Sequence, residues 1–254
     1  MSPLWNKPGL RAYLRPDGVH LVQLSRGRRP SLQDKAAFSW AHGDWRNGLA
    51  TLEPWLAAHA GMAIEFVLSS SLCRFITLPR DQTLTEQTAR LALARLLFER
   101  HYGEDPALFE FALSPLHFGA TQQAVAVSAE FIKSVQSLPV RQGCQLRGIT
   151  PLLSCIWDRY ERRLPGTNGT LALLEENRLT CAHYERRQVV AVQIRPGSAI
   201  ASLLAEADAD NPIQLLALQQ PSLPLHVHRI ELPLLEGYSP ESDGNYAPAL
   251  WGAL

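Results

Sequence analysis

The alternation of apolar and polar positions predicts the same succession of short strands twice along the chain. The first copy has three strands, a helical stretch and a further apolar strand, and its strands are Leu10–Leu14, Val19–Leu24, Leu32–Trp40 and Ala63–Leu68. The second copy repeats this order with strands at Thr170–Glu175, Leu179–Glu185, Gln188–Ile194 and Ile213–Leu218, the last preceded by the helical stretch Ser198–Ala207. Two copies of a βββαβ unit predict a duplicated α/β fold.

The passage between the two copies predicts a small α/β insertion. Its elements are a strand, a long helix, two strands and a second helix, at Leu72–Leu78, Leu84–Arg100, Leu108–Leu113, Gln123–Ser128 and Ala129–Gln142. The predicted domains are therefore a first lobe over 1–71, the insertion over 72–142, a return strand and connecting helix over 143–168, and a second lobe over 169–254. We expect the insertion to pack beside the first lobe.

The long helix of the insertion carries start and stop signals. Thr83 followed by Glu86 makes a capping-box pattern, and Gly103 is a typical residue just past a helix end. Helical spacing also predicts a buried stripe with Arg90 on the opposite, solvent-facing side. The stripe consists of Ala89, Leu93, Leu96, Leu97 and Tyr102.

The charge balance argues against two classes of partner. The 254 residues include 24 basic and 24 acidic ones, so the chain has no overall field that would attract nucleic acid or an anionic membrane. The longest apolar stretches are interrupted well short of the ~20 residues needed to cross a bilayer. Membrane attachment would therefore depend on a partner.

Common signatures of enzymes and metal sites do not occur in the sequence. The chain has neither a phosphate loop, nor a dinucleotide-binding glycine pattern, nor a zinc-protease motif. His226 and His228 could share one face of a strand, but no third metal ligand is indicated, so no metal site is predicted. The cysteines, at positions 73, 144, 155 and 181, lie too far apart for a zinc pattern and are predicted to be buried thiols of a reducing cytoplasm.

Four stretches resemble the PilM / GspL-like (MshI-like) branch of the actin-like superfamily. They are Tyr13–Leu24, Phe75–Arg100, Val125–Ile149 and Tyr246–Leu254. Members of this branch are cytoplasmic adaptors of type IV pilus and type II secretion machines. The resemblance implies two ribonuclease-H-like lobes and a subdomain grafted on the first lobe, with a groove between the subdomain and that lobe.

The hairpin turns that hold nucleotide phosphates in this superfamily are degenerate here. In the first turn the expected Asp-x-Gly falls near Leu14-Arg15-Pro16, and Asp17 and Gly18 follow one or two places late. The second turn, Glu175-Glu176-Asn177-Arg178, lacks glycine and has adjacent carboxylates that would repel phosphate. We expect no cofactor and no catalysis. If the chain binds ATP with Mg after all, Asp17, Gly18 and Glu175 are the candidate residues.

The resemblance implies a non-catalytic adaptor that holds the cytoplasmic tail of an inner-membrane assembly protein of the PilN type. A secretion ATPase and a second copy of the chain are further possible partners, and the location would be cytoplasmic, at the inner membrane through the partner. The candidate contact residues are Arg74, Phe75 and Thr77 at the entry of the insertion. Two alternatives remain open, an active actin-like ATPase or sugar-kinase relative and a ribonuclease-H-like nuclease fragment.

Overall fold

The computed structural model describes residues 9–25, 27, 30–81, 83–115, 121–164, 166–208, 210–217, 223–231 and 235–251. Its strands are β1 (Gly9–Arg15), β2 (Gly18–Leu24), β3 (Leu32–Ser39), β4 (Ala63–Leu68), β5 (Arg74–Leu78), β6 (Phe109–Leu113), β7 (Gln122–Ser128), β8 (Gln145–Pro151), β9 (Gly169–Glu175), β10 (Arg178–Glu185), β11 (Gln188–Pro196), β12 (Ile213–Ala217) and β13 (Val227–Arg229). Its helices are α1 (Trp45–Ala50), α2 (Glu53–Ala58), α3 (Gln87–Tyr102), α4 (Ala129–Arg141), α5 (Leu152–Tyr160), α6 (Ile200–Ala205), α7 (Pro240–Asp243) and α8 (Ala247–Leu250).

Two five-stranded mixed sheets have the same strand order. The first runs β3-β2-β1-β4-β8 and the second runs β11-β10-β9-β12-β13. In each sheet the first three strands of the repeat are joined by two antiparallel hairpins. The first of them, β1 or β9, lies at the centre of the sheet and pairs in parallel with β4 or β12, the strand that follows the helix. The predicted duplication of a βββαβ unit is therefore confirmed, and each sheet gains one further parallel strand, β8 or β13.

The chain divides into two compact units. The first comprises Met1–Leu72, Phe131–Arg159 and Leu232–Leu254, and it contains the first sheet. The second comprises Cys73–Glu130 and Tyr160–Glu231, and it contains the second sheet together with the antiparallel sheet β5-β7-β6 of the insertion. Strand periodicity alone does not define such units, because each is assembled from segments that are far apart in the sequence.

The insertion sheet packs in the second unit, together with the second sheet, and not in the unit that contains the first sheet as the sequence led us to expect. Thr121 Oγ1 and Gln123 Nε2 both donate hydrogen bonds to the carbonyl oxygen of Val189 on β11, at 2.9 and 3.0 Å. Helix α4, which was predicted as part of the insertion, instead lies mostly in the first unit, where the ring of Phe131 meets that of Trp45 edge-on at 5.4 Å.

The start of α3 differs from the capping-box prediction. The helix begins at Gln87 with Glu86 as its N-cap, and the backbone N–H and hydroxyl of Thr83 instead bond to Asp81 Oδ1. A short polar side chain such as Asp81 competes for these donors and makes a separate turn before the helix. The predicted stop is confirmed, since Gly103 has a φ of +66° and its N–H donates to the carbonyl of Glu99.

Arg90 is buried on α3 and not directed to water as predicted, with a relative exposure of 6%. Its Nη1 donates to Gln122 Oε1 at 3.2 Å, and its Nη2 donates to the carbonyl of Asp81 at 3.0 Å. Both acceptors come from other segments of the insertion, so helical spacing could not reveal them. A long arginine stem also covers apolar surface while its head finds polar partners.

The segment Leu235–Trp251 packs on the first sheet, although the sequence pattern assigned it to the second lobe. Lys35 of β3 forms an ion pair with Asp243 at the end of α7. Arg11 of β1 donates to the carbonyl oxygens of Ala249 and Trp251 at 2.6 and 2.8 Å. These contacts join residues more than 200 positions apart, and they fix the last described segment to the beginning of the chain.

His20 lies against this segment in an aromatic cluster. Its ring is stacked on Tyr13 at 6.5 Å and meets Tyr246 edge-on at 5.2 Å. Burial, assisted by the nearby Arg15 guanidinium, lowers the pKa of His20 from 6.5 to about 4. The folded protein therefore holds this imidazole neutral at pH values where the unfolded chain already binds a proton.

We expect the stability of the first unit to fall as the pH falls from 6.5 towards 4. The unfolded state protonates His20 in this range while the folded state does not, so the stabilisation is complete above pH 6.5 and is lost on acidification. Urea unfolding midpoints measured at pH 7, 6, 5 and 4 test this. His20→Phe should flatten the profile, whereas replacement of the exposed His42 by Phe should leave its slope unchanged. Parallel profiles for all three proteins would contradict the assignment.

Candidate functional site

The first candidate phosphate turn, between β1 and β2, is closed by the protein's own groups. The carbonyl oxygen of Pro16 accepts hydrogen bonds from the indole Nε1 of Trp40 at 3.1 Å and from the backbone N–H of Gly43 at 3.2 Å. The carboxylate of Asp17 is paired with Arg15 at 2.9 Å, and the carbonyl of Asp17 accepts the N–H of Trp40. The carbonyl oxygens of Pro16 and Asp17 and the carboxylate of Asp17 are therefore used within the fold.

Gly18 has a packing role that accounts for its identity. A Cβ atom at this position would lie 2.7 Å from the carbonyl oxygen of Phe38 on the neighbouring strand β3. Only glycine lets the two backbones approach this closely. Gly18 lies after the position that the phosphate-binding pattern requires, and the close pairing of β2 with β3 explains why it is glycine.

The second candidate turn, between β9 and β10, is packed against the segment that follows β11. Glu176 takes a φ of +51°, as the tight hairpin requires. The N–H of Gly197 donates to the carbonyl of Asn177 at 2.7 Å, and a Cβ on Gly197 would lie 2.8 Å from the carbonyl carbon of Asn177. Backbone atoms of this turn are therefore covered closely by another part of the same unit.

Charged side chains surround the base of the second turn. Glu175 is 3% exposed. Burial raises the pKa of the Cys73 thiol, and the nearby Glu175 carboxylate raises it further. Burial, with the nearby Arg74 guanidinium, lowers the pKa of Arg178. The Nε of Arg178 is buried and has no hydrogen-bond partner among the described residues. The turn and the entry of the insertion thus meet in one mixed-charge cluster within the second unit.

The three predicted contact residues on β5 differ in accessibility. Arg74 is partly exposed, pairs with Glu104 at 3.2 Å and lies over the ring of Tyr102. Phe75 is 7% exposed, and its carbonyl accepts the hydroxyl of Tyr102. The hydroxyl of Thr77 donates to Gln123 Oε1 at 2.8 Å. The amide nitrogen of the same Gln123 donates to the backbone of β11. Arg74 and Thr77 are both partly exposed, and Arg74 is the charged one of the three.

Sequence reasoning missed the residues that close the two turns. Trp40 follows the end of β3, and Gly197 follows the end of β11, each more than 15 positions from the turn it contacts. The only local signal was the loss of the phosphate-binding pattern itself. The closing contacts depend on strand pairing, which places distant residues beside the turns.

The paired histidines do not share a strand as predicted. β13 begins at Val227, and His226 lies in the preceding turn with a φ of +67°. Among the residues that the structure describes, no group of three histidine, cysteine, aspartate or glutamate side chains could hold a metal ion. All four cysteines are free and buried, as predicted. In the same part of the chain, no helix is both long and apolar enough to span a membrane.

Comparisons with solved structures reveal the class of fold. The cytoplasmic domain of EpsL, an inner membrane component of the type II secretion system of Vibrio cholerae, superposes with a TM-score of 0.61 at 12% identity, over 91% of this chain and 88% of that chain. A Bacteroides thetaiotaomicron protein with an actin-like ATPase fold and unknown function gives 0.57 at 11% identity, over 85% of this chain and 84% of its own. A chain of the PilM-PilN type IV pilus biogenesis complex gives 0.52 at 17% identity, over 78% of this chain and 64% of its own length.

The protein therefore has the actin-like fold. The resemblance to PilM and GspL that the sequence suggested is confirmed at the level of the fold, which this chain shares with EpsL and with the PilM-PilN complex. Neither a protein-family model nor a curated protein sequence matches the chain.

Proposed function

We propose that the chain is a non-catalytic cytoplasmic adaptor in an inner-membrane assembly of the type IV pilus or type II secretion kind. Two of the proteins whose fold it shares come from such assemblies. The observation that carries the proposal is how both hairpin turns are held within the fold. The Asp17 carboxylate is paired with Arg15, and the backbone carbonyls of Asp17 and Asn177 accept hydrogen bonds from other segments, whereas phosphate binding in an actin-like ATPase needs accessible backbone N–H groups. An adaptor needs the surfaces of this fold and not its chemistry.

The chemistry of the turns supports the absence of hydrolysis. Pro16 has no N–H to donate to a phosphate, and the carboxylate of Asp17 is already paired with Arg15. In the second turn, the buried Glu175 and its neighbour Glu176 add negative charge where phosphates would have to approach. Actin-like hydrolysis requires carboxylates that position a hydrated metal ion, together with phosphate-binding amides. Neither turn offers both.

We expect no magnesium-dependent release of phosphate from ATP and no saturable ATP binding, because Pro16 has no N–H, the Asp17 carboxylate is paired with Arg15, and the second turn carries adjacent carboxylates. Steady-state phosphate release and isothermal titration with ATP and magnesium measure the two quantities. Asp17→Ala and Glu175→Ala serve as the diagnostic variants. If the wild-type protein hydrolyses ATP and both variants lose that activity, the chain is an ATPase and the non-catalytic proposal is wrong.

A membrane partner of the PilN type would bind through an extended peptide beside the entry strand of the insertion. Such peptides gain affinity from backbone hydrogen bonds and from pockets for alternate side chains. Arg74 offers a partly exposed guanidinium at the start of β5, whereas Phe75 and Thr77 are held from within the unit and would support the site from beneath. A secretion ATPase and a second copy of the chain are further proposed partners. The proposal implies a cytoplasmic location at the inner membrane, maintained by the partner.

Charge reversal at Arg74 tests this contact. We expect Arg74→Glu to weaken binding of the partner peptide by about tenfold, equivalent to about 1.4 kcal/mol. The probes are synthetic peptides of the cytoplasmic segments of membrane proteins encoded by neighbouring genes, titrated calorimetrically. Arg100→Glu, on the exposed side of α3, is the matched control and should bind like the wild type. Phe75→Asp is unsuitable because it would bury a charge in the insertion.

The comparison of the variants and the peptide titration of the wild type distinguish a wrong binding site from a wrong adaptor proposal. Equal affinity of the wild type, Arg74→Glu and Arg100→Glu would move the partner site away from β5 without affecting the adaptor proposal. If none of the neighbouring membrane proteins supplies a peptide that binds the wild type, the adaptor mechanism is wrong as stated.

A further inference from the structure

Helix α3 has an apolar seam on the side that faces away from its own sheet. The buried residues of the helix are Arg90, Ala94 and Phe98, so the side that they share packs within the insertion. At about 100° per residue, Leu96 lies about 200° around the helix from Ala94, and it is 62% exposed. The residues in line with Leu96, which we call the outer seam, are Glu86, Ala89, Leu93, Leu96 and Arg100.

The spacing of the outer seam is typical of a helix that packs against another helix. Its residues follow one another in alternating steps of three and four, which are the steps of the a and d positions of a coiled coil. Ala89 and Leu93 are half-buried, and Leu93 also packs against the core of the insertion. A single exposed leucine is ordinary on a protein surface, but Leu96 continues an apolar row with these two residues.

The two ends of the outer seam carry opposite charges. Glu86 is the N-cap residue of α3 and Arg100 lies in its last turn, and both side chains are exposed. Neither side chain forms an ion pair or a hydrogen bond with any residue that the structure describes. Leu93 lies midway between them, seven residues from each. An apolar centre is therefore flanked at equal distances by one unpaired anion and one unpaired cation.

This arrangement is complementary to itself when two copies of α3 lie antiparallel. With Leu93 of one copy opposite Leu93 of the other, Glu86 of each copy faces Arg100 of the other copy. A parallel pair would instead bring like charges together at both ends. The helix dipoles also favour the antiparallel pair, because each end then lies beside the opposite end of the other helix. Such a match of a surface with itself is what a two-fold symmetric interface requires, and an unrelated partner would have no need of it.

We propose that α3 binds α3 of a second copy of the chain as an antiparallel pair, with Leu93 and Leu96 at its centre and an ion pair between Glu86 and Arg100 at each end. The proposal rests on the proposed function only in that a second copy is among the partners named there, and it requires neither β5 nor a partner peptide. The 16 residues of α3 span about 24 Å, so the interface is smaller than that of a stable dimer. We therefore expect weak association, with a dissociation constant on the order of 100 µM.

Sedimentation equilibrium of the full chain, from about 10 µM to about 500 µM, measures this association by mass action. The mean mass should rise with concentration from 28.2 kDa towards twice that value. Added salt should reduce the rise, because it screens exposed ion pairs. A chain that stays monomeric over the whole range overturns the proposal and leaves the adaptor proposal, which the partner peptides test, unaffected. Those peptide titrations use about 10 µM protein, where the chain is mainly monomeric, so Arg100→Glu remains a valid control there.

Charge reversal tests the antiparallel register. Glu86→Arg and Arg100→Glu each replace two attractive contacts of the dimer by two repulsive ones, and each should weaken association by about tenfold. The double variant Glu86→Arg/Arg100→Glu restores opposite charges and should associate within about threefold of the wild type. A mere loss of helix stability would be larger in the double variant, because both new charges oppose the helix dipole. Single variants that associate like the wild type, or a double variant without recovery, overturn the proposal.

The apolar centre is tested separately. Leu96→Gln keeps the size of an exposed side chain but removes its apolar surface, and it should weaken association by about tenfold or more. Val140→Gln, at a residue of α4 that is 65% exposed against 62% for Leu96, is the matched control and should associate like the wild type. If Leu96→Gln associates as well as Val140→Gln, the outer seam is not the interface and the proposal is wrong.

Discussion

Replacement of Arg11 by methionine should lower the free energy of unfolding of the first unit by about 3 to 5 kcal/mol. Arg11 is 6% exposed, and its guanidinium donates to Glu65 and to the carbonyl oxygens of Ala249 and Trp251. Methionine retains much of the apolar volume but leaves the Glu65 carboxylate without its cation and two carbonyls without their donor. The loss is expected in urea unfolding followed by tryptophan fluorescence, to which the buried Trp251 contributes.

Two further variants identify the cause of that loss. Arg147→Met removes an exposed arginine of the same unit and should change the unfolding free energy by less than about 0.5 kcal/mol. The double variant Arg11→Met/Glu65→Leu should recover part of the loss, because a buried ion pair can be replaced by apolar groups at little cost. If Arg11→Met is as stable as Arg147→Met, these hydrogen bonds do not anchor the segment Leu235–Trp251.

Replacement of Phe98 by alanine should destabilise the second unit by about 3 to 5 kcal/mol, through lost burial and the cavity that remains. Phe98 is fully buried, and its ring lies 4.7 Å from Phe109, 5.3 Å from Phe111 and 5.2 Å from Tyr102, measured between ring centroids. Urea unfolding combined with hydrogen exchange of the β6 and β7 amides would locate the loss in the insertion.

Leu96→Ala is the matched control on the same helix. Leu96 is 62% exposed, so its truncation should cost less than about 0.5 kcal/mol. The comparison also tests the stripe predicted from helical spacing, which included Leu96 and omitted Phe98. If Leu96→Ala proves as costly as Phe98→Ala, the helix packs through the predicted stripe and not through the face that the structure shows.

The duplicated fold could be predicted from the sequence because strand periodicity is a local property. The alternation along β1, β2 and β3 and along β9, β10 and β11 gave strand bounds that agree with the structure to within about two residues. The degenerate turns were equally local, since Pro16 and the adjacent Glu175 and Glu176 can be read directly from the chain. The sequence therefore determined the class of fold and the loss of the phosphate-binding pattern.

Helix α3 shows where local pattern becomes insufficient. Its apolar residues lie on several sides, so spacing predicted Leu93, Leu97 and Tyr102 correctly as packed residues but could not exclude Leu96. Arg90 was predicted to face solvent because a charged side chain on a helix is normally expected to be exposed. Its burial depends on Gln122 and on the carbonyl of Asp81, which only the folded insertion brings beside the helix.

The tertiary structure alone decided which segments form each unit and which polar groups remain without partners. The last described segment lies on the first sheet because Arg11 and Lys35 meet acceptors more than 200 positions away. The insertion joins the second sheet because Thr121 and Gln123 both reach the carbonyl of Val189. Such contacts leave no periodic signal, since each depends on two distant residues that become neighbours only when the sheets have formed.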